Sequence, residues 1–189
     1  MNLARKQRAF TFIELTVSMF IMLVLLGVGF YSFNKYENYS NFDKGVTDIK
    51  LAFQTAHDNS LALPKIINNS DLKNVGFTGV DFEYESPDLL KYRQVYVIGS
   101  STICNSSANK KSLGEWQYLP KGVYIYSSAG NESNPVAQYL VSSGSLAGWS
   151  VSGGSACDDV TPSPRFEIRY KDIPSQWFNI DKTTGLIYE

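Results

Sequence analysis

Ala9-Phe-Thr-Phe-Ile-Glu-Leu-Thr-Val-Ser-Met-Phe20 opens an apolar run that continues unbroken to Phe33. From Phe10 to Phe33 there are 24 residues and a single charge, Glu14. At about 1.5 Å of rise per residue, a helix of that length crosses a hydrocarbon core of about 30 Å. The glutamate is the anomaly. A carboxylate at the centre of a spanning helix costs about 2.5 to 3.5 kcal/mol even on lenient insertion scales, so it should face a partner and not lipid. The nearest partner arises only if the chain is cut. Met1 to Ala9 carries three positive charges, Arg5, Lys6 and Arg8, and no acid. Cleavage after Ala9 would leave a protonated α-amine on Phe10, one helical turn before Glu14.

A secretory signal peptide also has a basic start and an apolar centre. Its apolar part runs to about 7 to 15 residues and closes on a small-x-small site, whereas this run is longer and lacks one. A plain single-pass anchor accounts for the length but gives no reason for a glutamate at the fifth position after a small residue and Phe. A short basic leader, a small residue, then Phe10-Thr-Phe-Ile-Glu-Leu15 and a long apolar helix resembles the signal of type IV pilins and type II secretion pseudopilins over positions 5 to 33. The resemblance implies that prepilin peptidase cuts between Ala9 and Phe10, that the new amine on Phe10 is methylated, and that Glu14 guides subunit docking. It also implies other pilin or pseudopilin subunits and an inner-membrane assembly platform as partners. The residue before the cut is usually Gly in that family; here it is Ala9, still small.

The basic residues ahead of the run place the N-terminus in the cytoplasm and the chain from about residue 35 onward outside, by the positive-inside rule. The expected location is therefore the inner membrane, crossed once and in contact with its lipid, followed by a periplasmic or extracellular filament. Outside the cytoplasm the two cysteines, Cys104 and Cys157, most simply make one disulfide, the alternative being two free thiols. Closing that loop would contribute roughly 4 kcal/mol in the chain-entropy account. Without the leader the chain keeps 14 of its 17 basic residues and all 18 acids, a net charge of −4. No nucleic-acid partner is expected from that balance, and the one basic pair beyond the helix, Lys110-Lys111, reads as a solvated loop.

The spacing of Phe42, Val46, Ile49, Phe53, Ala56 and then Ser60 or Leu63 predicts one face of an amphipathic helix that ends at Pro64. Gly27 and Gly29 mark either local unwinding or close helix packing. Phe30, Phe33, Tyr36, Tyr39 and Phe42 form a broad aromatic patch at the membrane exit.

From residue 75 the period changes to two. Strands are expected at Val75–Tyr84 with a bulge or turn near Gly79, then at Gln94–Gly99, Gly122–Ser127, Ala137–Val141, Trp149–Ser152, Arg165–Tyr170, Gln176–Ile180 and Leu186–Tyr188. Ser100–Ser112, Ser127–Pro135 and Gly153–Pro164 read as connections, and Asp181–Gly185 as the turn of a last hairpin. The expected fold is α+β, a long N-terminal helix packed on an antiparallel sheet or a two-sheet, sandwich-like domain. Its divisions are a leader (1–9), a membrane and assembly helix (10–33), an amphipathic continuation (34–63) and an exported β-rich domain (64–189). Leu119-Pro-Lys-Gly-Val-Tyr-Ile125, Phe166-Glu-Ile-Arg-Tyr170 and the Phe178 to Ile187 segment are similar to the C-terminal domain of H-type minor pseudopilins.

Catalytic residues are not expected, nor is a cofactor. His57, the sole histidine, lies on the amphipathic helix beside Asp58 with no nucleophile or metal-ligand spacing, which suits a structural role. Asp158-Asp159, Asp172 and Asp181 match no calcium-loop spacing, so no metal is expected. These features favour a structural subunit of a type IV pilus-like filament or type II secretion system over an enzyme. The rival is a permanently anchored, exported ligand-binding module that never polymerises.

Overall fold

In the computed structural model, which describes residues 11–66, 75–98, 110–129, 132–142, 145–151 and 165–188, the apolar run begins a single 55-residue helix, α1 (Phe12–Ile66). The helix passes Gly27 and Gly29 without the unwinding that two glycines invite. Each costs about 1 kcal/mol relative to Ala. Opening the ladder in an apolar setting would leave N–H and C=O groups without partners, which costs more. The helix also passes Pro64 and ends two residues later. In a final turn, proline forfeits only one backbone donor.

The chain divides into two units, Met1–Ser40 and Asn41–Glu189. In the first, the described residues are almost wholly exposed, from Phe12 and Ile13 to Phe33 and Tyr36. An apolar helix with no protein around it has the surface of a segment meant for lipid or for other helices.

In the second unit the predicted helix face is the buried one. Phe42, Val46, Ile49, Ala52, Phe53, Ala56 and Ser60 all point into the protein. Gly45 lies on the same face, where an added Cβ would sit 2.7 Å from Val123 Cγ2. Its missing side chain lets the helix settle against the sheet.

Ten strands follow among the described residues: β1 (Val75–Ser86), β2 (Leu89–Ile98), β3 (Lys110–Ser112), β4 (Gln117–Tyr118), β5 (Val123–Ala129), β6 (Glu132–Ser142), β7 (Ser145–Val151), β8 (Arg165–Tyr170), β9 (Ile173–Ile180) and β10 (Ile187–Tyr188). The order is β10-β9-β8-β5-β6-β1-β2-β3, with β4 also on β2 and β7 also on β6. All pairings are antiparallel. β6 joins the two halves: residues 132–135 pair with β5, and residues 138–141 pair with β1. The halves share one core beneath α1. Val80, Phe82, Leu90 and Tyr92 come from one half, and Ile125, Phe166, Ile168 and Phe178 from the other. In β1, β2, β5, β8 and β9 alternate residues supply it, as period two requires.

Three expectations change. The bulge predicted at Gly79 is absent: β1 and β2 stay in register from Phe77 to Tyr84, with shifts only at either end. Gly79 instead admits a neighbouring backbone, since a Cβ there would lie 2.0 Å from the Tyr139 carbonyl oxygen. Much of the expected connection Ser127–Pro135 belongs to the paired strands β5 and β6. Lys110 and Lys111 sit on β3, not in a solvated loop, and Lys110 Nζ is 2.9 Å from Asp81 Oδ2.

Candidate functional site

The start of α1 is built by two residues. Thr11 precedes the first helical residue, and its carbonyl accepts the first helical bond, from Leu15 N–H at 3.2 Å. The Glu14 N–H donates to Thr11 Oγ1 at 3.3 Å. In return, the Thr11 N–H and hydroxyl donate to Glu14 Oε2 at 2.9 and 3.0 Å. This is a reciprocal capping box, in which a threonine and a glutamate three residues later satisfy each other's backbone donors. Such a cap contributes about 1 kcal/mol to the helix.

The box corrects the expectation that Glu14 has a partner only after cleavage. Thr11 supplies two donors within the same chain, and neither depends on residue 9 or 10. The signal was present in the sequence as Thr11-Phe-Ile-Glu14, the Thr-x-x-Glu spacing that precedes an apolar run. The other early polar side chains also turn inward on the helix. Thr16 Oγ1 donates to the Ile13 carbonyl at 2.9 Å and Ser18 Oγ to the Glu14 carbonyl at 2.7 Å. The outward surface beyond this turn is therefore apolar. Met22, Leu25, Leu26, Gly29, Phe30 and Phe33 line a shallow groove along it.

The remaining predicted positions fall in two groups. Ala9, Phe10, Cys104 and Cys157 lie outside the described residues, as do Asp158 and Asp159. His57 and Asp181 are described and belong to the scaffold. His57 Nε2 lies 3.0 Å from the Thr184 carbonyl oxygen and Nδ1 3.2 Å from Asp58 Oδ1, so the ring ties α1 to the last turn. Asp181 accepts bonds from the Thr183 and Thr184 N–H groups and the Thr184 hydroxyl. The bonds from Thr184 hold its carboxyl below the usual carboxylate range. The Asp181 N–H donates to the Leu186 carbonyl and the Gly185 N–H to the Asp181 carbonyl, which makes 181–185 the predicted hairpin turn.

Residues 4–30 match the prokaryotic N-terminal methylation motif. That motif is the type IV pilin and pseudopilin signal, and it covers Arg5, Lys6 and Arg8, Ala9 and Phe10, Glu14 and most of the apolar run. Comparisons with curated proteins and with solved structures find no match. The matched signal is that of a processed, membrane-anchored structural subunit.

Proposed function

We propose that this protein is a minor pilin or pseudopilin, held in the inner membrane by residues 10–33 until it enters a filament of a type IV pilus or type II secretion system. Prepilin peptidase would cut between Ala9 and Phe10, and the new amine would be methylated. The observation that carries the reading is the coincidence of the methylation motif at residues 4–30 with a helix start that places Glu14 three residues into α1 on an otherwise apolar exterior. In a filament, Glu14 could exchange its Thr11 donors for the charged amine of a neighbouring subunit. Desolvation offsets part of that attraction, so the pair would set register and docking more than bulk stability. The resemblance of the closing strands to H-type minor pseudopilins supports a minor subunit. Cys104 and Cys157 would form a disulfide in the exported domain.

The second reading, a permanent anchor for an exported binding module, draws support from the capping box, because Thr11 accounts for Glu14 without any assembly. One experiment separates the two. Wild type and Glu14→Val are co-expressed with partner subunits, and intact mass and crosslinked recovery are read at matched membrane levels. A subunit loses its first nine residues, gains one methyl group, and in the Glu14→Val form is processed but poorly recruited. A wild-type mass that still includes Met1, or full recruitment of Glu14→Val, would support the anchored module.

A further inference from the structure

Only Phe10 stands between the Ala9 carbonyl, where the leader would be cut, and the threonine that starts α1. We propose that Thr11 is a positioning residue for leader removal: its capping box ends the helical ladder ahead of the Ala9–Phe10 bond and so leaves that bond to the peptidase. The proposal rests on the subunit reading above, which gives Thr11 no part in processing.

The hydrogen bonds decide how far the ladder can run. In a helix extended toward the leader, each N–H would bond the carbonyl four residues back: Glu14 to Phe10, Ile13 to Ala9, Phe12 to Arg8 and Thr11 to Gln7. The outer two of these four donors are already taken. The Glu14 N–H donates to Thr11 Oγ1 at 3.3 Å, and the Thr11 N–H donates to Glu14 Oε2 at 2.9 Å. The first rung made is the one from Leu15 N–H to the Thr11 carbonyl. A rung on the Ala9 carbonyl would fall between the two blocked ones, and it would have to pass through a capping residue, whose backbone angles are not helical. Cleavage favours chain outside regular structure, where a carbonyl can be reached.

The leader itself supplies no stop. Leu3-Ala-Arg-Lys-Gln-Arg-Ala9 consists entirely of strong helix formers, with no Gly, Pro or β-branched residue. The Gly usual before the cut in pilin-type signals would disfavour a helix there, but this chain has Ala9, the best helix former of all. The cap is therefore the one local feature that opposes extension of α1 into the leader.

The test follows loss of residues 1–9 from the full chain in detergent micelles, by intact mass over time, with purified prepilin peptidase and substrate below KM. Thr11→Val keeps the shape but removes the acceptor, and it should be cut about fivefold more slowly, the effect of losing one N-cap. Thr11→Asn and Thr11→Asp cap with chemically different groups and should be cut as fast as wild type. Glu14→Val keeps the threonine hydroxyl and should be cut nearly as fast. Ala9→Gly should speed Thr11→Val more than it speeds wild type. In the uncut chains, the ¹³Cα shifts of Arg8, Ala9 and Phe10 should move toward helical values in Thr11→Val alone. Cleavage of Thr11→Val at the wild-type rate would overturn the proposal while leaving the subunit reading intact. Slow cleavage of Thr11→Asn and Thr11→Asp, with unchanged shifts in Thr11→Val, would also overturn it and assign the hydroxyl to direct contact with the peptidase. A wild-type chain that is never cut would overturn both.

Discussion

Phe53 is where the helix is fastened to the sheet, and replacing it tests the packing on which the domain rests. Its side chain is 1% exposed. Its ring centre lies 4.3 Å from that of Tyr139, 5.4 Å from Phe166, 5.7 Å from Phe178 and 5.8 Å from Phe82. Those partners come from β6, β8, β9 and β1, so one aromatic ring touches both halves of the sheet. Phe→Ala in a core costs about 3 to 5 kcal/mol through lost transfer energy and the cavity left behind. Each aromatic pair adds about 0.5 to 1.5 kcal/mol beyond burial, and with four such partners the cost should lie near the upper end. A loss of about 5 kcal/mol in a domain of this size lowers Tm by roughly 10 to 20 °C. Near-UV circular dichroism of the full chain in micelles measures it, with Leu61→Ala, at a 61% exposed position of the same helix, as the control. A Phe53→Ala melting point as high as that of Leu61→Ala would mean that α1 does not pack on the sheet through this face.

Gly79→Ala should destabilise by about 1 to 3 kcal/mol, or more if β1 and β6 cannot part. The new Cβ would meet backbone, the Tyr139 carbonyl at 2.0 Å, and an unchanged Tm would refute that close approach. Burial raises the pKa of both Tyr139 and Tyr84. Unfolded tyrosines ionise near pH 10, so their contribution to stability should be constant below about pH 10 and fall above it, by about 1.4 kcal/mol per pH unit for each tyrosine held neutral. Urea unfolding between pH 9 and 11.5 reads this slope, and Tyr139→Phe should flatten it; an equally steep fall in that variant would exclude Tyr139 as a cause. For the cysteines, reduction should lower Tm in the micelle-solubilised chain, and two reactive thiols in native protein from an oxidising compartment would contradict a Cys104–Cys157 bond.

What the sequence determined by itself is whatever depends on neighbours along the chain. The basic leader, the apolar span and the three-and-four spacing from Phe42 to Ser60 each form a local pattern, and a helix face follows directly from its period. The hairpin turn at Asp181–Gly185 was legible for the same reason, because Asp181 bonds to groups two and three residues away. So was the Thr11–Glu14 cap, a Thr-x-x-Glu spacing ahead of an apolar run. Only the tertiary structure decided the rest. β3 and β4 are three and two residues long, too short for composition to mark them, and exist because β2 offers an edge. The sharing of β6 between both halves and the use of Gly79 as a clearance for Tyr139 depend on strands brought together from far along the chain. A 230 Å³ cleft beside Gln94 depends likewise on α1, β2 and the β3–β4 connection meeting. Their side chains carry no common period, so only the folded chain brings them together.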